Sequence, residues 1–365
     1  MVDSDRNPLW AQVAERMRTQ HPNIRVRVDE FFLEVRGCSS TTTAPQVNSL
    51  LEEWAHSANG KSLNIHSLQN ADALLEGLGS LLARRESLPM LRSIGVTQVA
   101  ASHSTHESWL MRLARREKSS ELRVLHVPSV VVNEHTWRAW ELVLSECEQL
   151  TRLHVGEVFP VHMPLFLDRA VRFSTSLEEL RLDEFFEVDN VTGFISKLVS
   201  KMELKFLSLG NGTLDDKACI RFAKSLRNDV VLEGLDLRDI EVSDEGLRQI
   251  LDGLFEHPAL RTLLLPSPRQ HSVVLNALSL EVLASQPMLH SFLARHLCIA
   301  DDEETSFLSF IENIGTRWQQ NLGYAELNQK NLSDAAKASF AKLVSWAGRD
   351  ARRGFPYQPL FRMTG

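Results

Sequence analysis

Apolar residues in this chain fall into one recurring phrase, apolar-x-x-apolar-x-apolar, that returns about every 28 residues. Its clearest copies run Leu91–Val96, Leu122–Val127, Leu150–Val155, Leu177–Leu182, Leu204–Leu209, Leu232–Leu237 and Leu260–Leu265, with looser copies starting at Gly60 and Leu289. Successive first positions differ by 31, 31, 28, 27, 27, 28, 28 and 29, a regularity that marks stacked structural units. Each phrase predicts a short parallel strand whose fourth and sixth positions point inward while the third, fifth and seventh point out. A helix is predicted behind each strand; Trp137, Trp140, Leu144 and Cys147 form one such apolar stripe. Neighbouring strands lie about 4.8 Å apart and packed helices about 8 to 10 Å apart, so the stack is expected to bend with its strands on the inside.

Leu204 to Leu265 carries the strongest internal copy. Leu204-Lys-Phe-Leu207-Ser-Leu209 leads to Ala218, Phe222 and Leu226, and a shift of 28 maps these three onto Gly246, Ile250 and Leu254. These units resemble leucine-rich repeats, and their length, with a full helix per unit, is similar to the ribonuclease-inhibitor-like subclass. The resemblance implies an α/β fold: a right-handed horseshoe solenoid with parallel strands on the concave face, helices on the convex face and helical caps. The expected division is an N-terminal cap over 1–59, a solenoid of about nine units over 60–297, and a C-terminal cap with an irregular tail over 298–365. One departure from the family stands out. Where it usually places Asn or Cys to satisfy the turn backbone, this chain has Leu68, Val99, Val130, Val158, Phe185, Gly212, Ile240, Pro268 and Leu297, so those groups need other partners.

Within the terminal segments, strands are predicted at Ile24–Val28 and Phe31–Val35, and helices at Leu9–Met17 and from Pro45 through Trp54. Beyond the repeats, the pattern predicts a helix over Asp301–Ile314, a last degenerate strand within Leu322–Leu327 and a helix over Ser333–Trp346.

A chain of 365 residues exceeds the usual size of a single core, but a solenoid escapes that limit because each unit packs only on its neighbours. With 40 Lys and Arg against 47 Asp and Glu, the net charge of -7 argues against a generic polyanion binder, so no nucleic-acid partner is expected. Cys38, Cys147, Cys219 and Cys298 are widely spaced without a C-x-x-C pair, which fits reduced thiols. No secretory leader or apolar stretch long enough to span a bilayer is visible. The expectation is a monomer in the cytoplasm, or in a host cytoplasm for a secreted bacterial effector, without a membrane partner.

No catalytic, metal or cofactor constellation emerges. Gly210-Asn-Gly212 lacks the rest of a phosphate or dinucleotide loop, and His103, His106 and Glu107 lack the second His of a zinc-protease helix. Some bacterial leucine-rich-repeat proteins are ubiquitin ligases with a nucleophilic Cys near an Asp, as in Cys298-Ile-Ala-Asp301-Asp302, but too little chain follows the repeats for their catalytic domain. Ran GTPase-activating proteins share the subclass, yet no loop motif carries over. A GTPase activator or ubiquitin-ligase component is the alternative to a plain binding module.

The outward strand positions and the residues flanking them are banded in charge. Arg92, Arg123, His126, Arg152 and His154 form a basic band in which Glu157 is the one acid. Glu178, Glu179, Arg181, Asp183 and Glu184, then Glu233, Asp236, Arg238 and Asp239, form acidic bands, and Arg261, His290, Arg295 and His296 turn basic again. Such bands suit recognition of a complementary protein. The predicted contact residues are Arg152, His154, Glu179, Arg181, Asp183, Phe206, Asp236 and Arg238, with Phe206 as the aromatic anchor.

Overall fold

The computed structural model describes residues 24–28, 32–37, 61–68, 71–84, 90–116, 121–173, 176–184, 204–266, 273–289, 291–294, 297–299, 304–318 and 324–327, with isolated positions elsewhere. They belong to two compact units, residues 1–191 and 192–365.

The first unit opens with an antiparallel pair, β1 (Ile24–Val28) and β2 (Phe32–Gly37). From β2 onward the pairing is parallel and in chain order through β3 (Ser62–Leu68), β4 (Ser93–Val99), β5 (Val124–Val127), β6 (Arg152–Glu157) and β7 (Glu179–Glu184). Helices α1 (Asp72–Leu82), α2 (His103–Ala114), α3 (Trp137–Glu146) and α4 (Met163–Phe173) alternate with these strands. The repeated phrase sets the register: Leu63 lies opposite Ile94, Ile94 opposite Leu125, Leu125 opposite Leu153, and Leu153 opposite Leu180. Because a strand alternates its side chains, this register stacks the apolar fourth and sixth positions on one face. Leu125, Val127, Leu153 and Val155 are each 0% exposed there. The helices close the core from behind with Trp109, Trp140 and Phe166, the last two meeting edge to face at 5.8 Å.

The second unit repeats the plan. Strands β8 (Phe206–Leu209), β10 (Gly234–Asp236), β12 (Thr262–Leu264), β14 (Ser291–Ala294) and β16 (Tyr324–Leu327) pair in parallel, so the last degenerate strand predicted from the sequence is present. Between them run α5 (Asp216–Asn228), α6 (Asp244–Gly253), α7 (Ala277–Ser285) and α8 (Glu304–Trp318). The helical register predicted by the shift of 28 is the buried one: Phe222, Ile250, Leu226 and Leu254 are at most 1% exposed.

The apolar turn column is buried, with Val99, Val130, Val158 and Ile240 at 4% exposure or less. Two backbone devices replace the missing polar ladder. Short parallel ladders form just past the main strands, β9 (Gly212–Thr213) with β11 (Ile240–Glu241) and β13 (Val273–Leu275) with β15 (Leu297–Ile299), while Val132 bridges Val158 in the first unit. Turns also close on themselves: Val130 N–H donates to Val127 O at 3.0 Å and Ile240 N–H to Leu237 O at 3.0 Å. An apolar wedge at this position is tolerated because the turn's donors find backbone acceptors instead of an Asn side chain.

Among the described residues, no helix is long and apolar enough to cross a membrane. Cys147 and Cys219 are buried, the Cys219 thiol donating to Leu214 O at 3.8 Å, and burial pushes the Cys147 thiol up to about 12 despite the nearby Arg116. Cys38, most of the predicted helix at Leu9–Met17 and the tail over 349–365 lie outside the described residues, as do the side chains of Cys298 and Phe292.

Candidate binding face of the strands

Five of the predicted contact residues lie on β6 and β7, where the register sets Arg152 beside Glu179 and His154 beside Arg181. They form connected contacts. Glu179 accepts a hydrogen bond from Arg181 Nε at 2.5 Å, and its other carboxylate oxygen lies 3.5 Å from Arg152 Nε. His154 Nε2 lies 2.6 Å from Asp183 Oδ1, and its Nδ1 lies 2.8 Å from His126 Nδ1 on β5. Only one proton fits between the two Nδ1 atoms, so one ring donates and the other accepts. The rings meet edge-on at 4.3 Å.

This packing changes what the face displays. His154 is 8% exposed although it points away from the core, because the neighbouring strands' side chains cover it; Asp183 beside it stays exposed. Burial holds the pKa of His126 down to about 3, and the charges of His154, Arg181 and His66 act in the same direction. The His126 imidazole is therefore neutral at physiological pH and serves as a fixed hydrogen-bonding group.

The other three residues belong to the second unit. Phe206 lies opposite Gly234 and its ring rests over that glycine: a Cβ there would sit 2.3 Å from Phe206 Cδ2. Lys205, Phe206, Glu233, Gly234, Arg261 and Thr262 line a shallow notch, and Glu233 lies 3.6 Å from Arg261 across it. Asp236, 5% exposed, accepts from the Arg238 backbone N–H at 3.2 Å, from Nε at 2.9 Å and from Nη2 at 2.8 Å. The bidentate fork locks that arginine in one pose.

The sequence pattern placed these residues on the outward strand positions but missed three features: the His126 to His154 contact, the glycine seat under Phe206, and the covering of His154 and Asp236. A signal existed for the first two, since each pair occupies the same position in consecutive units, 28 residues apart. His103 and His106, set aside as non-catalytic, have local partners: His106 is buried and accepts from Trp109 Nε1 at 3.3 Å, and His103 Nδ1 lies 3.2 Å from Asn133 Nδ2. His290, Arg295 and His296 lie outside the described residues. Among those described, no group of three or more His, Cys, Asp or Glu side chains is arranged to hold a metal ion.

The alternation of strand and helix at this period is matched by a chain in the crystal structure of the Rad7 and Elc1 complex from yeast. That likeness covers 90% of this chain and 84% of the other, with a TM-score of 0.50 at 16% identity. This is a leucine-rich-repeat fold. An internalin, InlF from Listeria monocytogenes, is similar over 94% of this chain and 97% of its own, with a TM-score of 0.46 at 15% identity. No protein-family model and no curated protein sequence matches. Of the predicted contact residues, all but Arg238 occupy outward strand positions of these leucine-rich repeats, Arg238 lying in the turn after β10, and the leucines that name the fold are the buried ones between them.

Proposed function

We propose that this protein is a non-enzymatic interaction module of the ribonuclease-inhibitor-like subclass, acting in the cytoplasm as a scaffold, adaptor or effector. It recognises a protein partner through outward positions in and just after the strands: Arg152, His154, Glu179, Arg181 and Asp183 in the first unit, and Phe206, Asp236 and Arg238 in the second. The observation that carries this reading is the fixed pattern of charge on β6 and β7, where Arg152, Glu179 and Arg181 are held by one another. Side chains ordered before encounter lose little conformational entropy on binding, and banded charge sets register with a complementary surface. Rad7 was crystallised in complex with Elc1, which supports protein recognition on this fold.

The test is affinity capture by the full chain and by two variants, Arg152→Glu and Phe206→Ser, with melting temperatures measured in parallel. Both residues are more exposed than Asp236. Reversing a charge or removing an aromatic anchor is expected to weaken capture at least about tenfold, a typical hot-spot effect. Unchanged capture by both variants, with a chain shortened by residues 298–365 failing to capture while remaining folded, would overturn the reading.

A further inference from the structure

We infer that the strand starts of the first unit form a docking row for an acidic segment of a protein partner, with Arg92 and Arg123 as the main contacts; this rests on the protein-recognition reading above. The backbone fixes the row. Arg92 N–H donates to Lys61 O at 2.9 Å and Arg123 N–H donates to Arg92 O at 2.8 Å, so the three cations sit side by side at the starts of β3, β4 and β5. All three are exposed.

Adjacent strands are about 4.8 Å apart, and like charges directly opposite one another destabilise a sheet. Other arginines on these faces are matched by a carboxylate: Arg152 and Arg181 by Glu179, Arg238 by Asp236, and Arg261 by Glu233. Among the described residues, the side chains of Arg92 and Arg123 have neither an ion pair nor a hydrogen bond. Two neighbouring guanidinium groups without counter-charges are an arrangement that folding alone disfavours. A guanidinium fork matches a carboxylate in a bidentate pair, and a bound carboxylate cluster would relieve the repulsion. Ser62 and Ser93, opposite each other on β3 and β4, line the adjacent column with small hydroxyl side chains that leave room for it.

The row is short, which identifies its occupant. Past Arg123 the same backbone column continues through Thr151 to Glu178, each N–H donating to the preceding carbonyl at 2.8 Å. A long polyanion would run onto Glu178 and Glu179 and would meet a chain of net charge -7. A compact group of Asp or Glu side chains would not. Acids at i and i+4 on a helix stand about 5 to 6 Å apart, close to the strand step.

The experiment is fluorescence anisotropy of the full chain with a labelled helical peptide carrying Glu at successive i and i+4 positions, and with its Gln counterpart. Binding of the Glu peptide alone, weakened by added salt, is expected. The double variant Arg92→Gln, Arg123→Gln should lower that affinity at least about tenfold. Its melting temperature should hold or rise as the repulsion is removed, whereas a misfolded variant would melt earlier. Arg227→Gln, on α5 and outside both the row and the strand face, should change nothing. Equal binding of the Gln peptide, full binding by the double variant, or equal competition from a short oligothymidylate or from phosphatidylserine vesicles would each overturn the row. Loss of the row with Arg152→Glu and Phe206→Ser still weakening partner capture leaves the protein-recognition reading standing. A working row with capture indifferent to those two variants removes that reading instead.

Discussion

A methyl group added at Gly253 would lie 2.5 Å from the Ala223 carbonyl oxygen and 2.6 Å from its Cα, both backbone atoms of the neighbouring helix. Glycine is there because α5 and α6 touch through backbone. Gly253→Ala gains about 1 kcal/mol of helix propensity, but neither clashing atom belongs to a flexible side chain, and overpacking costs about 1 to 3 kcal/mol. The clash wins, so chemical denaturation should show a net loss of stability. An unchanged or higher midpoint would mean that the helices move apart freely. Gly234 serves a different purpose, since what its missing Cβ admits is the Phe206 ring. Neither role can be read from glycine content, because both depend on what the next repeat brings to the same place. The column positions of Phe206 and Gly234 were legible in the sequence, and the ring's tilt onto its neighbour was not.

At the scale of elements, the repeats are tied by caps that reach from one repeat to the next within each unit. Ser243 caps α6, accepting from Gly246 N–H at 2.9 Å, and its hydroxyl donates to Asp216 Oδ1 at 2.5 Å in the first turn of α5. In the first unit, Ser102 caps α2 and donates from Oγ to Asp72 Oδ1 at 2.7 Å; Thr105 Oγ1 donates to the same oxygen at 2.6 Å. These hydrogen bonds, Thr105's first, hold the Asp72 carboxyl down at about 2. One serine thus satisfies an orphan donor of its own helix and joins it to the helix before. Ser243→Ala should cost about 1 kcal/mol as a lost cap. A double-mutant cycle with Asp216→Ala should show coupling of about 0.5 kcal/mol or more in urea denaturation, and strictly additive losses would show that the bridge contributes nothing. The strands, the helices and the buried register were legible because leucine spacing alone fixes them. These bridges were not, since Asp and Ser some 27 to 30 residues apart look like ordinary surface residues until the stacking brings them together.

Over the whole molecule, the groups that resist protonation near neutral pH point to where acid acts first. Burial, then repulsion from its neighbours, lowers His126 to about 3 and His106 to about 4, and burial also lowers His66; all three lie in the first unit. In the unfolded chain these histidines take up protons around pH 6.5. Between that value and their folded pKa values the unfolded state binds more protons, so stability is complete above about pH 6.5 and declines as the pH falls toward 4. The lowered carboxyl of Asp72 adds its own loss only below its ordinary value of 3.8. A solenoid's stability is a sum over units and their neighbours, so the loss should be local at first. Hydrogen exchange at pH 5 should therefore show amides of β3 to β6 losing protection before those of β8, β10 and β12. His126→Gln should flatten the fall in melting temperature between pH 7.5 and pH 5, because its side chain does not titrate. Parallel curves for the native chain and this variant, or simultaneous loss of protection in both sets of strands, would place acid sensitivity elsewhere than in His66, His106 and His126.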